Sequence, residues 1–147
     1  MKRFKFRLQK VLDFKETEKK ERAQQLAQEN QRLLSLEERM QAILEEQEVL
    51  GGIGDAVMTI EELCLTGDYK QRLQDELEQQ REHILLAAKA VDEAREAYIE
   101  KTKETESLEA VKRRRKQEHL EEAKKKEKKQ IDETVVQRHR FTKNNGG

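Results

Sequence analysis

Apolar residues recur every three or four positions along most of the chain, which is the spacing of one face of an α-helix. Before residue 51, six of the eight positions on one heptad seam are apolar, and the other two are Glu29 and Gln47. The eight positions are Leu26, Glu29, Leu33, Leu36, Met40, Ile43, Gln47 and Leu50. After residue 67, eight of eleven seam positions are apolar, and the other three are Gln80, Lys101 and Thr105. The eleven positions are Leu73, Leu77, Gln80, Ile84, Ala87, Val91, Ala94, Tyr98, Lys101, Thr105 and Leu108. Because neither seam is stable when exposed to water, the pattern predicts two long helices that pack together.

The glycines between the seams predict where the chain turns. Gly51, Gly52 and Gly54, backed by Gly67, interrupt a sequence that contains no proline. Helix one is expected over about residues 8–50, ending where Gly51 can take the left-handed conformation that closes helices. A tip connection over 51–67 follows.

Two capping signals refine this connection. Thr59 with Glu62 has capping-box spacing, which predicts one short helical turn, Ile60 to Leu65, inside the connection. Asp68 with Gln71 repeats the signal and predicts that helix two begins at about residue 68 and continues to about residue 140.

The register follows if residue 50 faces residue 68. Leu44 then lies near Gln74, Leu33 near Leu85, and Leu12 near Glu106. The amino-terminal end of helix one then faces about residue 114 of helix two, and the apolar seam of helix two ends at about the same place. The rest of helix two is therefore expected to overhang, that is, to extend past helix one without a partner helix. The predicted fold is all-α: a long two-helix antiparallel coiled-coil hairpin, forming a single domain over residues 1–147.

Composition limits the chemistry. With 42% charged residues, 4% aromatic residues and no Trp, the chain is unsuited to a globular core and resembles a long-helix protein. Cys64 has no second cysteine to pair with. No apolar run approaches about 18 residues, so neither a transmembrane helix nor a signal peptide is predicted, and a cytoplasmic location is expected.

The charges are balanced overall but strongly sorted. Lys and Arg outnumber Asp and Glu by nine to four in residues 1–25 and by thirteen to six in residues 112–147. Residues 26–111 carry nine basic against twenty-one acidic side chains. A hairpin brings both basic segments to one end, which predicts a basic base with an acidic shaft and tip.

Catalysis is not expected, because a two-helix hairpin offers no pocket with converging polar groups. His83, His119 and His139 have no His or Cys partner at the helical spacing of a zinc site, so no metal is expected. The glycine-rich connection lacks the Lys-Ser/Thr ending of a phosphate loop, and no cofactor is expected.

The amino terminus carries the most specific motif, F-x-F-x-L-x-x-V-L-x-F-K over residues 4–15. Phe4, Phe6 and Leu8 alternate with Lys5 and Arg7 at a period of two, which is not helical. This start resembles that of the FliJ family of flagellar export proteins. Other shared features are the chain length, Glu18, Ala23 and the sequence Ile131-Asp132-Glu133.

The resemblance implies a non-enzymatic stalk of the flagellar (type III) export apparatus. Family members are antiparallel two-helix coiled coils similar to the central stalk of rotary ATP synthases. They insert the end bearing both termini into the hexameric export ATPase and stimulate it. Their far end reaches toward the membrane export gate, and they bind export chaperones. The expected location is therefore cytoplasmic, with peripheral association with the inner membrane.

The resemblance also gives candidate contact residues. The predicted contact with the ATPase ring consists of Arg7, Lys10, Lys15, Arg113, Arg114, Arg115, the cluster from Lys124 and Lys125 to Lys129, and an apolar plug of Val135, Val136 and Phe141. The predicted contact with the export gate consists of Met40, Leu44, Gln47, Tyr69, Leu73 and Gln80. Leu73 also suits the helix seam, whereas an aromatic near an exposed tip, such as Tyr69, is typical of an interface anchor.

Two other classes of function stay open on the residues alone. A generic coiled-coil scaffold would show the same seams, and only the Phe4-Phe6-Leu8 start argues against it. A nucleic-acid binder could use the basic runs at 112–116 and 124–129 to follow phosphates. No aromatic residue is interleaved with those runs and the shaft is acidic, so no nucleic-acid partner is expected.

Overall fold

The computed structural model describes residues 2–53 and 59–146, which form two long α-helices that pack against each other. Helix α1 spans Gln9–Ile53 and helix α2 spans Ile60–Asn145. No β-strand occurs in these two ranges. The all-α helical hairpin predicted from the seams is confirmed.

Helix α2 begins at the Thr59 capping box. The Thr59 amide donates to Glu62 Oε2, and the Glu62 amide donates to Thr59 Oγ1, both at 3.2 Å. Two amides that the first helical turn would leave without acceptors are satisfied in this way. The predicted box is therefore present, but it starts the whole of α2 and not a short turn inside a connection.

The predicted boundaries at Gly51 and Asp68 are wrong. Helix α1 continues through Gly51 and Gly52 to Ile53, and α2 runs unbroken through Gly67 and Asp68. No described glycine has a positive φ. A single glycine inside a long helix costs about 1 kcal/mol, which lowers stability without ending the helix. The predicted turn glycine Gly54 lies outside the described residues.

The chain divides into two compact units. We call residues 1–17 with 102–147 the terminal unit, and residues 18–101 the central unit. Each unit contains a segment of α1 and a segment of α2. The single coiled-coil domain expected from the sequence stays a prediction.

The central unit is a helix-on-helix pair with its core on the seams. Ile43, Leu73 and Leu77 form a buried cluster, and Met40, Leu44 and Leu50 pack against it. Every seam position in this unit is buried or half-buried, including the polar ones. Heptad spacing thus identified the buried face of both helices.

Polar contacts fix the direction of pairing in the central unit. Glu18 pairs with Lys101 at 3.1 Å, and Gln47 donates to Gln74 at 3.3 Å. The partner's number falls as the residue number rises, so the two helices are antiparallel. Leu85 is exposed although its neighbour Ile84 is half-buried, because Ile84 holds the seam position.

The terminal unit packs an extended segment as well as a helix against α2. Residues 2–6 are not helical, and we call them the N-terminal strap. Phe6 of the strap is buried, as are Leu12 of α1 and Thr105 of α2. The non-helical start indicated by the period of two is confirmed, and along it Phe4, Phe6 and Leu8 are buried or half-buried while Lys5 and Arg7 are exposed.

The strap covers more of α2 than a helix of equal length would. The Phe4 and His119 rings lie with their centroids 5.6 Å apart, and His119 Nε2 is 3.0 Å from the Lys2 carbonyl oxygen. An extended chain advances about 3.3 Å per residue, whereas a helix advances about 1.5 Å. The overhang predicted from about residue 114 therefore begins later: His119 and Ala123 are half-buried, and all residues from 124 to 146 are exposed.

Candidate partner-binding surfaces

The terminal unit presents a basic surface on the exposed part of α2. Arg113, Arg114 and Arg115 are all exposed, and Arg114 Nε lies 4.0 Å from Glu118 Oε1, one helical turn further along α2. The cluster Lys124 to Lys129 is also exposed. Exposed charges of this kind are little desolvated, so they stay available to an oppositely charged partner.

The basic residues near the chain start differ among themselves. Arg7 and Lys10 are exposed. Lys15 is half-buried, and its Nζ lies 2.9 Å from Glu104 Oε2 on α2. Lys15 therefore joins the two segments of the terminal unit, a role that its charge alone did not predict.

Large apolar side chains are exposed in the last part of α2. We call residues 124–146 the helix end, since every one of them is exposed. It carries Ile131, Val135, Val136 and Phe141 among its lysines and arginines. Exposed apolar groups rimmed by one sign of charge are typical of interaction surfaces.

In the central unit, the residues predicted to contact an export gate lie in different environments. Met40, Leu44, Gln47 and Gln80 are half-buried. Leu73 is buried in the core cluster, so its side chain holds the helices together and is not accessible while they stay paired.

Tyr69 is the most accessible of the predicted gate residues, at 43% exposure. Its hydroxyl donates to Glu46 Oε2 at 2.9 Å, joining α2 to α1. This hydrogen bond is the main cause that raises the pKa of Tyr69 above 10.0, and the negative charge of Glu46 adds to it. Tyr69 therefore presents the side of its ring while its hydroxyl is held.

A neighbouring ion pair orders the same side of the paired helices. Arg39 Nε donates to Glu76 Oε1 at 2.9 Å, and Arg39 Nη2 donates to the same oxygen. This hydrogen bonding raises the pKa of Arg39, with the charge of Glu76 as the second cause. The pair is fixed in geometry but open to solvent, so it is a weaker contribution to stability than the apolar cluster beside it.

A model of the flagellar FliJ protein family matches residues 4–144, nearly the whole chain. The chain belongs to the FliJ family. No curated protein and no solved structure matches it at a comparable level of significance. The FliJ family is a non-catalytic component of flagellar export, and the chain is accordingly a component of the flagellar export apparatus.

Neither a metal site nor a membrane span is found in the described part of this FliJ-family chain. Within residues 2–53 and 59–146, no three His, Cys, Asp or Glu side chains lie together as metal ligands would. None of its described helices combines the length and the apolar character needed to cross a bilayer. Cys64 is exposed and free.

Three features of this FliJ-family member were not found from the sequence. The contact of His119 with the strap joins residues 117 positions apart, and no local pattern points to it. The Arg39–Glu76 pair lies about one helical turn from the position that the predicted register gives, since that register puts Arg39 opposite Gln79. Leu34, Leu85 and Leu86 lie off the seams and are exposed, a pattern visible in the sequence but not distinctive there.

Proposed function

We propose that this chain is the non-enzymatic stalk of the flagellar type III export apparatus. It inserts its terminal unit into the hexameric export ATPase, stimulates that enzyme, and links it to the membrane export gate and the export chaperones. An asymmetric stalk makes six otherwise equal sites unequal, which allows nucleotide turnover to proceed in sequence around the ring.

The observation that carries the proposal is the helix end. Residues 124–146 are all exposed and helical as far as Asn145, which makes about six turns, and they carry basic and apolar side chains together. Such a segment gains little by remaining in water, since its apolar groups can be buried only against a partner. A ring pore lined by acidic or polar loops would offer both the burial and the opposite charge.

The strap supports the same assignment. It ties the first residues of the chain to His119, so Arg7 and Lys10 belong to the same compact unit as Arg113, Arg114 and Arg115. A partner that binds this unit would meet basic groups from both ends of the chain. Lys15, held by Glu104, would act through the packing of the unit and not as a direct contact.

For the export gate, we propose the surface around Tyr69, with Met40, Leu44, Gln47 and Gln80 at its edges. An aromatic ring that is partly exposed and fixed by one hydrogen bond loses little conformational entropy on binding, which suits an anchor. Tyr69→Ala should weaken binding of the gate's cytoplasmic part while leaving helicity unchanged. Gate binding at the wild-type level would contradict this.

The ring contact is tested by reversing Arg113, Arg114 and Arg115 to Glu in the full chain. Like charges across an interface cost several kcal/mol, so both affinity for the export ATPase and its stimulation should fall. The matched control reverses Arg72, Arg81 and Arg95, three exposed arginines of the central unit, to Glu. It changes the net charge equally and should leave stimulation intact.

Two results would contradict the proposal. One is a triple variant at residues 113–115 that stimulates the ATPase at the wild-type concentration with unchanged far-ultraviolet circular dichroism. The other is tight nucleic-acid binding by the wild-type chain that survives about 200 mM salt, where non-specific phosphate contacts are strongly weakened. That second result would favour the nucleic-acid alternative.

A further inference from the structure

Four residues near the start of α2 form one exposed face. Ile60, Leu63, Cys64 and Gly67 have the spacing i, i+3, i+4 and i+7, which places them on a single side of the helix. Ile60 is 83% exposed and Leu63 is 63% exposed, and Cys64 is exposed as well. We call these four residues the α2 face. Because two large aliphatic side chains lie in water on neighbouring turns, this face is suited to binding another molecule.

The α2 face is separate from the surface proposed for the export gate. Tyr69 follows Gly67 by two positions, which is more than half a turn of helix, and its hydroxyl donates to Glu46 of α1. Tyr69 thus lies toward α1, whereas the α2 face lies on another side of α2. A molecule bound to the α2 face would therefore leave Tyr69 uncovered.

Gly67 is not required by the packing of its own chain. It lies inside α2 without a positive φ, and a Cβ added to it would find open space, with no other segment of the chain within 4 Å. Alanine would be the more stable residue at such a position. What a glycine provides is bare backbone that another chain can approach closely. The α2 face thus offers aliphatic side chains at one end and close backbone contact at the other.

Acidic side chains follow one edge of the α2 face. Glu61 and Asp68 each directly follow a residue of the face, and Asp75 continues the same spacing of seven residues. All three are exposed, and over residues 60–75 acidic side chains outnumber basic ones by four to two. Residues seven positions apart stay on the same edge of a contact between two helices, where opposite charges pair. The complementary surface is therefore a helix with basic residues at this spacing.

We propose that the α2 face binds one amphipathic helix of a partner protein, whose apolar strip is bordered by Lys or Arg residues seven positions apart. The apolar strip covers Ile60 and Leu63, the partner's backbone lies against Gly67, and its basic residues pair with Asp68 and Asp75. The acidic edge spans about 21 Å of helix, so the partner helix needs about four turns. A second copy of the chain is less suited to this face, because its own α2 face carries the same negative charge.

The probe is a synthetic helical peptide of three heptads, with leucine at positions a and d and lysine at e and g, where like charges keep it from pairing with itself. A peptide with glutamate at e and g is the control. Fluorescence anisotropy of a dye on each peptide measures binding to the full chain. The lysine peptide should bind about tenfold more tightly or better, equivalent to about 1.4 kcal/mol. Equal affinities, or no binding of the lysine peptide, would overturn the proposal.

Cys64 reports whether the α2 face is covered. It is the only cysteine of the chain and is exposed, so its alkylation by iodoacetamide can be followed without any substitution. Saturating lysine peptide should slow this alkylation several-fold. A thiol moved off the face by Cys64→Ala with Leu65→Cys should react at an unchanged rate. If Cys64 stayed equally reactive in the complex, the peptide would be bound elsewhere and the assignment would be rejected.

Leu63 and Leu65 form a matched pair, since both are exposed leucines of α2 and they lie on different sides of the helix. Leu63→Gln should raise the dissociation constant of the lysine peptide about tenfold, whereas Leu65→Gln should leave it unchanged. Equal effects would mean that the α2 face has no specific role. Gly67→Ala should raise both the dissociation constant and the midpoint of thermal unfolding, because alanine stabilises the helix while its methyl group holds the partner away. Unchanged affinity would contradict the close approach.

The charged edge is tested by reversal. Asp68→Lys with Asp75→Lys should make the glutamate peptide bind more tightly than the lysine peptide. Glu93→Lys with Glu100→Lys, an exposed pair of α2 with the same spacing, should leave the wild-type preference in place. Equal effects would show that net charge selects the peptide, and not this edge. Concentration-dependent sedimentation of the wild type that Leu63→Gln abolishes would assign the face to a second copy and overturn the proposal.

Discussion

The central and terminal units pack the same two segments of chain by different means. In the central unit two helices meet along heptad seams, and the core consists of aliphatic side chains such as Ile43, Leu73 and Leu77. In the terminal unit an extended strap precedes the start of α1 at Gln9, and Phe4 and Phe6 of the strap supply apolar groups where the apolar seam of α2 ends. A short hairpin arm can thus cover a longer helix by changing its backbone conformation.

The exposed surfaces differ accordingly. The central unit places its seam residues, such as Ile43, Leu73 and Leu77, at the helix interface, where the facing helix covers them. The terminal unit leaves the whole helix end without cover from the rest of the described chain. Stability should therefore be concentrated in the central unit, and availability for partners in the terminal unit.

Ile43→Ala should have the largest effect. The Ile43 side chain has 0% exposure, and truncating such a residue removes burial and leaves a cavity, costing about 2–5 kcal/mol in free energy of unfolding. Urea denaturation followed by circular dichroism measures this loss. Leu34→Ala is the matched control, since Leu34 is exposed, and it should cost little. Equal losses for the two variants would show that stability does not depend on the seam.

Phe6→Ala should have a smaller and more local effect. Phe6 is buried, but it belongs to a short strap that can open without unfolding the helices, so the global free energy of unfolding should fall by less than about 1 kcal/mol. The cross-relaxation expected between the Phe4 ring and the His119 ring should vanish in nuclear magnetic resonance spectra. Exchange of the amides in the central unit should stay unchanged.

Lys5→Ala is the control for the strap, because Lys5 is an exposed neighbour on the other side of the same extended segment. It should leave the Phe4–His119 contact in place. A Phe6 variant that keeps that contact, or one that unfolds the central unit as strongly as Ile43→Ala, would contradict the separation between the two units.

The ionisation of Tyr69 gives the smallest effect. Because Glu46 raises its pKa above 10.0, the folded state holds the proton more tightly than the unfolded state does. The resulting stabilisation is fully present below pH 10 and is lost as the pH rises through the folded-state pKa. An absorbance titration in a Tyr98→Phe background should show a lower midpoint when Glu46 is changed to Ala. An unchanged midpoint would mean that the Tyr69–Glu46 bond does not form.

The sequence predicted the paired faces well and the ends of the helices poorly. Every seam position proved buried or half-buried, because removing two apolar stripes from water dominates the packing of a helical hairpin. The boundaries at Gly51 and Asp68 were wrong, because a glycine or a capping signal is a local preference of about 1 kcal/mol. The packing of a long helix along its buried face contributes more free energy than such a local preference, so the helix continues past it.

The candidate contact residues show the same limit. Charge and periodicity located Arg113, Arg114 and Arg115 on an exposed surface, but they could not show that Lys15 is engaged by Glu104. Period-two alternation predicted a non-helical start. It could not predict His119 as the partner, because that contact depends on where two distant segments meet.

The contact between the strap and His119 can form only late in the synthesis of the chain. Lys2 and Phe4 are translated before the histidine that receives them, which follows more than a hundred residues later. Throughout that interval Phe4 lacks the His119 ring that lies beside it in the folded chain. Nascent chains of this protein therefore display an aromatic, basic segment until His119 has been made, and that segment is open to other proteins before the strap can close.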